Sequence, residues 1–503
     1  MAKVLIIGGG VAGLSAGIYS ELCGQHAVVC ERHSAAGGNL TGWQRGEYHI
    51  DNCIHWLTGT NPSSDTYKTW EELGALGGID IFQGDTLYTC EYRGETLSLC
   101  KNLKRLEESM LAVSPRDKDE IRSLIRAVRT MQGLCGIAGE EHDKKLSLSG
   151  KLSALPMLTK YYALTVSELA SRFSHPLLRR FIGAFWGEDF GALALVTVFA
   201  AFCGENGGIP KGSSRAMAER MSSRLKALGG ELLLGKEAVK INRLNGKAVS
   251  VDFADDTRIE ADYIVVACDP AAVFGKLLDA DMPRRLAKQY KDPRLHRFSS
   301  YQCALSCDTS ALSFKGDFIF DVPRKYRSEL RINQVIVREF SHEEAFAPRG
   351  KTVLQTLTFC YEDEARKFIE LRDKDREAYE RKKRSLADAL VRILVMKFPQ
   401  MKGKLELLDV WTPATYKRYT GSETGSYMSF VFPSKRLPVR IGNRVKGLSN
   451  VLLATQWQQM PGGLPIAAEA GKRAAETIAK TEAREGRRLF SQRKPYAERL
   501  GEI

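Results

Sequence analysis

Six residues near the amino terminus, Gly8-Gly9-Gly10-Val11-Ala12-Gly13, have the types and spacing to hold a pyrophosphate. Gly8 permits a tight turn, Gly10 lets the backbone approach phosphate oxygens, and Gly13 lets the following helix pack on the preceding strand. At Val11 and Ala12, unpaired N–H groups and the positive end of the helix dipole would face the anion. Glu31 lies 18 residues beyond Gly13 and ends the next strand, where a carboxylate binds ribose hydroxyls. The elements that must position these groups are legible too. Residues 3–7 are an apolar β-branched run, the segment to about residue 22 is rich in Ala and Leu, and residues 26–31 form a second short strand. The glycines thus stand in the strand, turn, helix, strand context that a dinucleotide fingerprint requires.

That unit alone selects no particular dinucleotide. The next stretch of chain points to FAD. Glu31-Arg32-His33-Ser34-Ala35-Ala36-Gly37-Gly38, followed by Asn39, has the E-x5-G-G form of the glutathione-reductase-type FAD families, in which the second glycine pair lies against the same pyrophosphate. From here the chain resembles the flavin amine oxidase and carotenoid desaturase superfamily. Ile209-Pro210-Lys211-Gly212-Ser213 looks like its P-x-G-G segment ahead of a helix, with Ser213 in place of the second glycine. Residues 236–241 are similar to the strand whose valine backbone contacts adenine, here Val239. Residues 261–267 resemble its A-D-x-V-V-x-A strand. Thr412-Pro413-Ala414-Thr415 with Gly425-Ser426-Tyr427 looks like the T-P-x-T…G-S-x-x-G stretch of carotenoid desaturases.

Residues 450–457 and Met460-Pro461-Gly462-Gly463-Leu464-Pro465 resemble the closing signature of the superfamily. The resemblance implies that Gly463, Leu464 and Pro465 bring backbone N–H groups and a helix dipole to the flavin pyrimidine edge, which suits the negative charge of a reduced flavin near N1 and O2. The family carries Gly, sometimes with an acidic residue, where this chain has Ala454-Thr455-Gln456, so the ribitol contacts, Gln456 among them, are expected to differ. No S-G-G-C-Y segment occurs, so FAD is expected to be held non-covalently.

The reacting side is less sharply drawn. Residues 48–56 follow the diglycine where the family's G-x-x-F-D-x-G strand passes near the isoalloxazine, and Asn52 and Cys53 depart from that pattern. Asp51 and His55 have the chemistry of an acid, a base or a flavin-polarising group, with a satisfied structural role open for each. Trp457 is a candidate wall for the ring, with packing as the alternative. Tyr416, Tyr419 and Tyr427 are candidate cavity residues or core.

Blocks this far apart need a large scaffold, and 503 residues call for two domains. The composition, 44% apolar and 27% charged, is that of a globular protein. The expected class is α/β: a glutathione-reductase-type FAD-binding Rossmann domain with an inserted α+β substrate domain. The FAD-binding domain takes residues 1–60, 205–269 and 443–480, the substrate domain takes 61–204 and 270–442, and 481–503 is a basic tail. In the first insertion, 63–76, 115–133 and 166–181 show helical spacing with no strand–helix alternation, so this part is expected to be mostly helical. In the second, 298–306, 352–360 and 405–411 read as strands and 374–397 as a charged helix. Ser213 or Ser214 is the expected cap of a helix reaching Leu228, and 463–480 reads as the closing helix.

The net charge of +14 invites a polyanion. Nucleic acid is not expected, because no zinc-finger spacing, RNP motif or aromatic-studded basic stretch occurs, and no metal site is expected either. Anionic lipid is the stronger reading. Its candidate surface is 283–297, where Arg284, Arg285, Lys288, Lys291, Arg294 and Arg297 alternate with Leu286, Tyr290 and Leu295; the alternative is a solvated basic helix. Eleven scattered cysteines with no CxxC pair, and no signal peptide, indicate a reducing cytosol. The longest apolar run, 192–203, is far short of the ~20 residues that span a bilayer. The expected location is cytoplasmic, at most peripheral to a membrane.

The resemblance favours the phytoene desaturase and retinol-saturase-like branch. It implies hydride transfer between flavin N5 and a carbon of an apolar unsaturated isoprenoid, polyene or lipid, in desaturation, saturation or isomerisation. Its rival on the same fold is an amine oxidase acting on a C–N bond. No second G-x-G-x-x-G marks a dedicated NAD(P)H domain, so the electron donor or acceptor stays open, as does the oligomeric state.

Overall fold

A strand that is apolar on both faces must be covered on both, and Lys3–Ile7 is. It lies within a six-stranded sheet ordered Glu231–Leu234, His26–Glu31, Lys3–Ile7, Tyr263–Val266, Leu448–Leu453 and Arg444–Val445, parallel except for the last strand. The computed structural model describes residues 1–135, 148–184, 187, 189–436 and 439–486. Val4 and Ile6 join a core with Leu14, Ala16, Ala468 and Ala474, while Leu5 and Ile7 join a second core with Val251 and Ile264. The Val11–Leu22 helix and the Leu464–Gly486 helix pack against each other on the first side. Small residues let them approach closely: a Cβ on Gly471 would lie 2.4 Å from the Ala12 carbonyl oxygen.

The second sheet has seven strands, ordered Leu405–Trp411, Phe298–Asp308, Lys351–Tyr361, Gln334–Glu339, Asp317–Asp321, Thr86–Tyr92 and Glu95–Cys100. Its longest pairing runs antiparallel from Phe298↔Tyr361 to Asp308↔Lys351 without a register shift. Side chains alternate along Phe298–Asp308. Tyr301, Cys303 and Leu305 pack on the Arg376–Lys397 helix through Leu390 and Leu394, while Phe298 and Gln302 face the interior shared with the first sheet.

The first insertion is not purely helical. Thr86–Tyr92 and Glu95–Cys100 form a hairpin that extends the second sheet. Its signal was the Arg93-Gly94 turn, where both residues adopt positive φ (54° and 89°) between two alternating segments. The single helix expected over 166–181 is two, Val166–Ala170 and Pro176–Gly183, because proline begins helices and does not continue them. The closing helix runs to Gly486, past the expected end at 480, and residues 487–503 of the basic tail lie outside the described residues. Among the described residues no helix is long and apolar enough to cross a membrane. All eleven cysteines are free thiols.

Candidate functional site

One continuous cavity of about 790 Å³ runs between the two sheets. At one end it is lined by Gly8, Gly10, Val11 and Ala12. Gly10 caps the Val11–Leu22 helix without a side-chain hydrogen bond, so the first-turn N–H groups are left to whatever fills the cavity. Gly13 itself lies outside the lining. A Cβ there would stand 1.8 Å from the Gly8 carbonyl oxygen, so Gly13 seats the helix on the turn. Gly37 donates to the Gly9 carbonyl (2.8 Å), and a Cβ on Gly38 would come within 3.3 Å of Gly10 Cα. The two glycine loops therefore form one cradle.

Glu31 borders this cradle. Its Oε2 accepts from Gly9 N (2.8 Å) and its Oε1 from His33 N (3.0 Å), which leaves each oxygen a lone pair for a ribose hydroxyl. Arg32 lines the cavity but donates through Nη2 to the Arg418 carbonyl (2.5 Å), so its charge meets the C-terminal turn of the Pro413–Thr420 helix. Val239 itself is not among the cavity-lining residues. It is 45% exposed on the outer strand of a small three-stranded sheet, and the neighbouring Lys236, Glu237 and Ala238 line the cavity in its place.

The Leu464–Gly486 helix also opens on this cavity, through Leu464, Pro465 and Ile466. Gly462 and Gly463 lead into it at positive φ (84° and 94°). Gln456 clasps the loop: its Oε1 accepts from Gly463 N (2.8 Å) and its Nε2 donates to the Tyr427 carbonyl (3.2 Å). The Gly463 N–H is thus already engaged. Asn39 Oδ1 is buried with no hydrogen-bond partner among the described residues, while its Nδ2 donates to the Tyr427 carbonyl (3.3 Å). Two helix starts, a double glycine cradle, a ribose-ready carboxylate and an orphaned ring-side acceptor together fit a flavin dinucleotide.

The three candidate reacting residues part company. Asp51 is 2% exposed and lies outside the cavity lining. Its carboxylate accepts from Ser214 N (2.8 Å), Ser214 Oγ (2.7 Å) and Cys53 N (3.2 Å). It caps, from a distance in sequence, the Ser213–Ala227 helix, whose own N-cap is the left-handed Gly212. Neither Ser213 nor Ser214 is that cap. Ser214 Oγ in turn accepts from Ile54 N (2.8 Å), so the pair pins the backbone leading to His55.

Burial pushes the Asp51 carboxyl up from its ordinary value to about 6, against the pull of its donors. A carboxyl whose folded pKa exceeds its unfolded one contributes stability below the unfolded value and loses it as pH rises through the folded one. Folding stability is expected to fall between about pH 4 and pH 6, by at most roughly 3 kcal/mol. Asp51→Asn should flatten that slope, which urea unfolding across the window measures; an unchanged slope would refute the assignment.

His55 does line the cavity, and none of the described residues hydrogen-bonds its imidazole. Burial, then the nearby Arg338 charge, holds it well below the ordinary histidine range, so the ring is neutral at physiological pH. Trp457 is wall and packing at once. It borders the cavity while meeting Tyr290 at a 30° tilt (5.3 Å) and Phe430 edge-on (5.2 Å).

Beyond the ring end the lining turns apolar: Phe298, Ile336, Leu357 and Phe359 from the second sheet, Leu193 and Ala194 from the Ala192–Cys203 helix. Sequence reasoning missed these residues. The alternation in 298–306 carried the signal, since it separates one face of the strand from the other, but not which face meets a cavity. Tyr416, Tyr419 and Tyr427 all border the cavity. The basic segment shows a clear division: in the Arg284–Lys291 helix Leu286 and Gln289 are buried, Leu295 is buried beyond it, and Arg297 is paired with Glu362 (2.6 Å), while Arg284, Arg285, Lys288 and Lys291 face outward.

Comparison with known proteins agrees with this geometry. The family model described as flavin containing amine oxidoreductase matches residues 11–479. A chloroplastic prolycopene isomerase of Daucus carota is 23% identical over 442 residues, 84% of this chain and 71% of that protein. The lycopene-forming phytoene desaturase of Pantoea ananas is 23% identical over 55% of this chain and 58% of its own length. An oxidoreductase structure from Methanosarcina mazei superposes with a TM-score of 0.61 at 17% identity, covering 95% of this chain and all of that one.

Proposed function

The chain belongs to the flavin containing amine oxidoreductase family, and from that premise we propose that it is an FAD-dependent, phytoene-desaturase-like oxidoreductase whose substrate is an apolar unsaturated isoprenoid or lipid. One observation carries the reading: the glycine cradle and an apolar chamber belong to the same cavity. The relatives that act on carotenoids support the substrate class. When bound, FAD supplies the acceptor or donor for hydride chemistry at a substrate carbon.

The chain's own residues do the rest. The N–H groups at Val11 and Ala12 would hold the phosphates, Glu31 would hold the ribose, and the start of the closing helix would serve the ring end. Phe298, Leu357, Phe359 and Leu193 exclude water and align a hydrocarbon chain. Neutral His55 would be a wall group able to take or return a proton at a ring nitrogen. The four outward cations of Arg284–Lys291 suit electrostatic contact with anionic lipid; the inward-facing Leu286 and Leu295 argue against insertion. The rival reading, C–N oxidation, favours an aromatic cage, whereas Tyr416 and Tyr427 meet at 42° with centroids 5.4 Å apart and offer no facing pair.

The test uses FAD-loaded protein under anaerobic conditions. Polyenes are expected to bleach the oxidised flavin or to reoxidise the photoreduced one. Ala194→Trp, which fills the chamber, should keep FAD content and lose that response by about tenfold or more. A response to amines but not to polyenes or fatty acids would transfer the assignment to the rival.

A further inference from the structure

The apolar chamber is not uniformly apolar. Gln302 projects from the Phe298–Asp308 strand into it, flanked on the same sheet by Phe298 and Leu357. Which end of that amide faces the chamber can be worked out from donors and acceptors alone. Trp411 Nε1 is a donor only, and it donates to the Tyr416 hydroxyl (3.1 Å). Asn52 Nδ2 donates to the Asn39 carbonyl (3.2 Å), an acceptor only, which turns Asn52 Oδ1 toward Tyr416. Tyr416 must therefore give its single proton to Asn52 Oδ1 (3.0 Å).

One lone pair of the Tyr416 oxygen remains, and only a donor can fill it. Gln302 must present Nε2 there (2.8 Å), and the second Nε2 proton goes to Ser300 Oγ (3.0 Å). Both donors of the Gln302 amide are thereby consumed. Its Oε1 accepts no hydrogen bond from the described residues, so it is left as an unpaired acceptor in an apolar setting. One hydroxyl thus decides the polarity of a side chain on the chamber wall.

We infer that Gln302 is a specificity-determining residue that accepts a hydrogen bond from an O–H or N–H donor on an otherwise apolar substrate. The inference rests on the substrate class proposed above and narrows it, from a bare hydrocarbon to one bearing such a group. The donor belongs to the substrate and not to the cofactor, because Gln302 stands on the same sheet as the hydrocarbon-lining residues, whereas the cofactor loop presents its own unpaired acceptor, Asn39 Oδ1.

Binding of a polyprenol and of the polyprene hydrocarbon of equal length to FAD-loaded protein, read by perturbation of the flavin absorbance, tests this. The wild-type protein is expected to prefer the alcohol by about tenfold, the factor one buried hydrogen bond supplies. Gln302→Met should erase the preference while leaving hydrocarbon binding and the flavin midpoint potential unchanged. Tyr416→Phe should erase it by another route, since it frees the Gln302 amide to turn. A shifted midpoint potential with the preference intact in Gln302→Met would assign the acceptor to the cofactor and overturn the inference. Equal wild-type affinity for the two probes would overturn it alone; binding of neither would overturn the substrate class with it.

Discussion

Gly13→Ala is expected to abolish FAD retention. The added Cβ would stand 1.8 Å from the Gly8 carbonyl oxygen, with Gly8 carbon at 3.0 Å and Ala267 Cβ at 3.3 Å. The obstruction is backbone, so no rotamer change relieves it. Either the helix lifts off the strand or the turn opens, and both displace the N–H groups at Val11 and Ala12 from the cradle. Overpacking of this kind costs on the order of 1–3 kcal/mol in side-chain cores and more against backbone. Affinity for FAD should fall at least about 100-fold, measured as flavin absorbance per mole of purified protein. Gly183→Ala is the control, because a Cβ there meets nothing within 4 Å. A Gly13→Ala protein carrying wild-type flavin would show that the turn relaxes without moving the anion-binding groups.

The second large effect concerns the ion pair whose arginine charge acts on His55. Arg338 donates through Nε to Asp317 Oδ1 (2.5 Å) and through Nη2 to Oδ2, with side chains 8% and 2% exposed. Arg338→Met should destabilise the fold by about 3–5 kcal/mol, because it leaves the Asp317 carboxylate buried without its partner. Adding Asp317→Leu is expected to recover most of that loss, since an apolar pair of similar volume does not need the lost charge. The same double variant reports on the site. Arg338 is the second cause, after burial, of the low His55 pKa, so removing it should raise the histidine titration point. Chemical denaturation and histidine proton resonances followed across pH measure the two effects. A double variant as unstable as the single one would mean that the cost is packing and not charge.

The cofactor half of the site was legible along the chain because its chemistry is local: glycines at positions 8, 10, 37 and 38 and Glu31 act through backbone geometry that neighbouring residues dictate. Even there, individual contacts depended on three-dimensional placement. Gly13 packs the helix on the turn as its spacing indicated, Ala238 and not Val239 lines the cavity, and the Gly463 N–H is held by Gln456. The hairpin of Thr86–Tyr92 and Glu95–Cys100 was within reach of sequence reasoning, since its turn and alternation are local signals, and it was overlooked among stronger helical patterns.

The reacting half was decided elsewhere. Asp51 and His55 are four residues apart and equally plausible as acids or bases from their types alone. One is turned into a helix cap by Ser214, 163 residues away, and the other faces a cavity whose far wall comes from Leu193, Ala194 and residues beyond 290. Burial, pairing and orientation of a polar side chain depend on partners brought by tertiary packing, and no spacing rule encodes them. The order of residues alone marked a dinucleotide cradle on a Rossmann unit, because that site is made of turns and helix starts, and the resemblance to the superfamily implied FAD. Folding was needed to open the ring end into an apolar chamber with neutral His55 on its wall and the Gln302 amide, oriented by Tyr416, projecting into it. Those choices are made by contacts between residues from 52 to 416, each needing several distant partners at once.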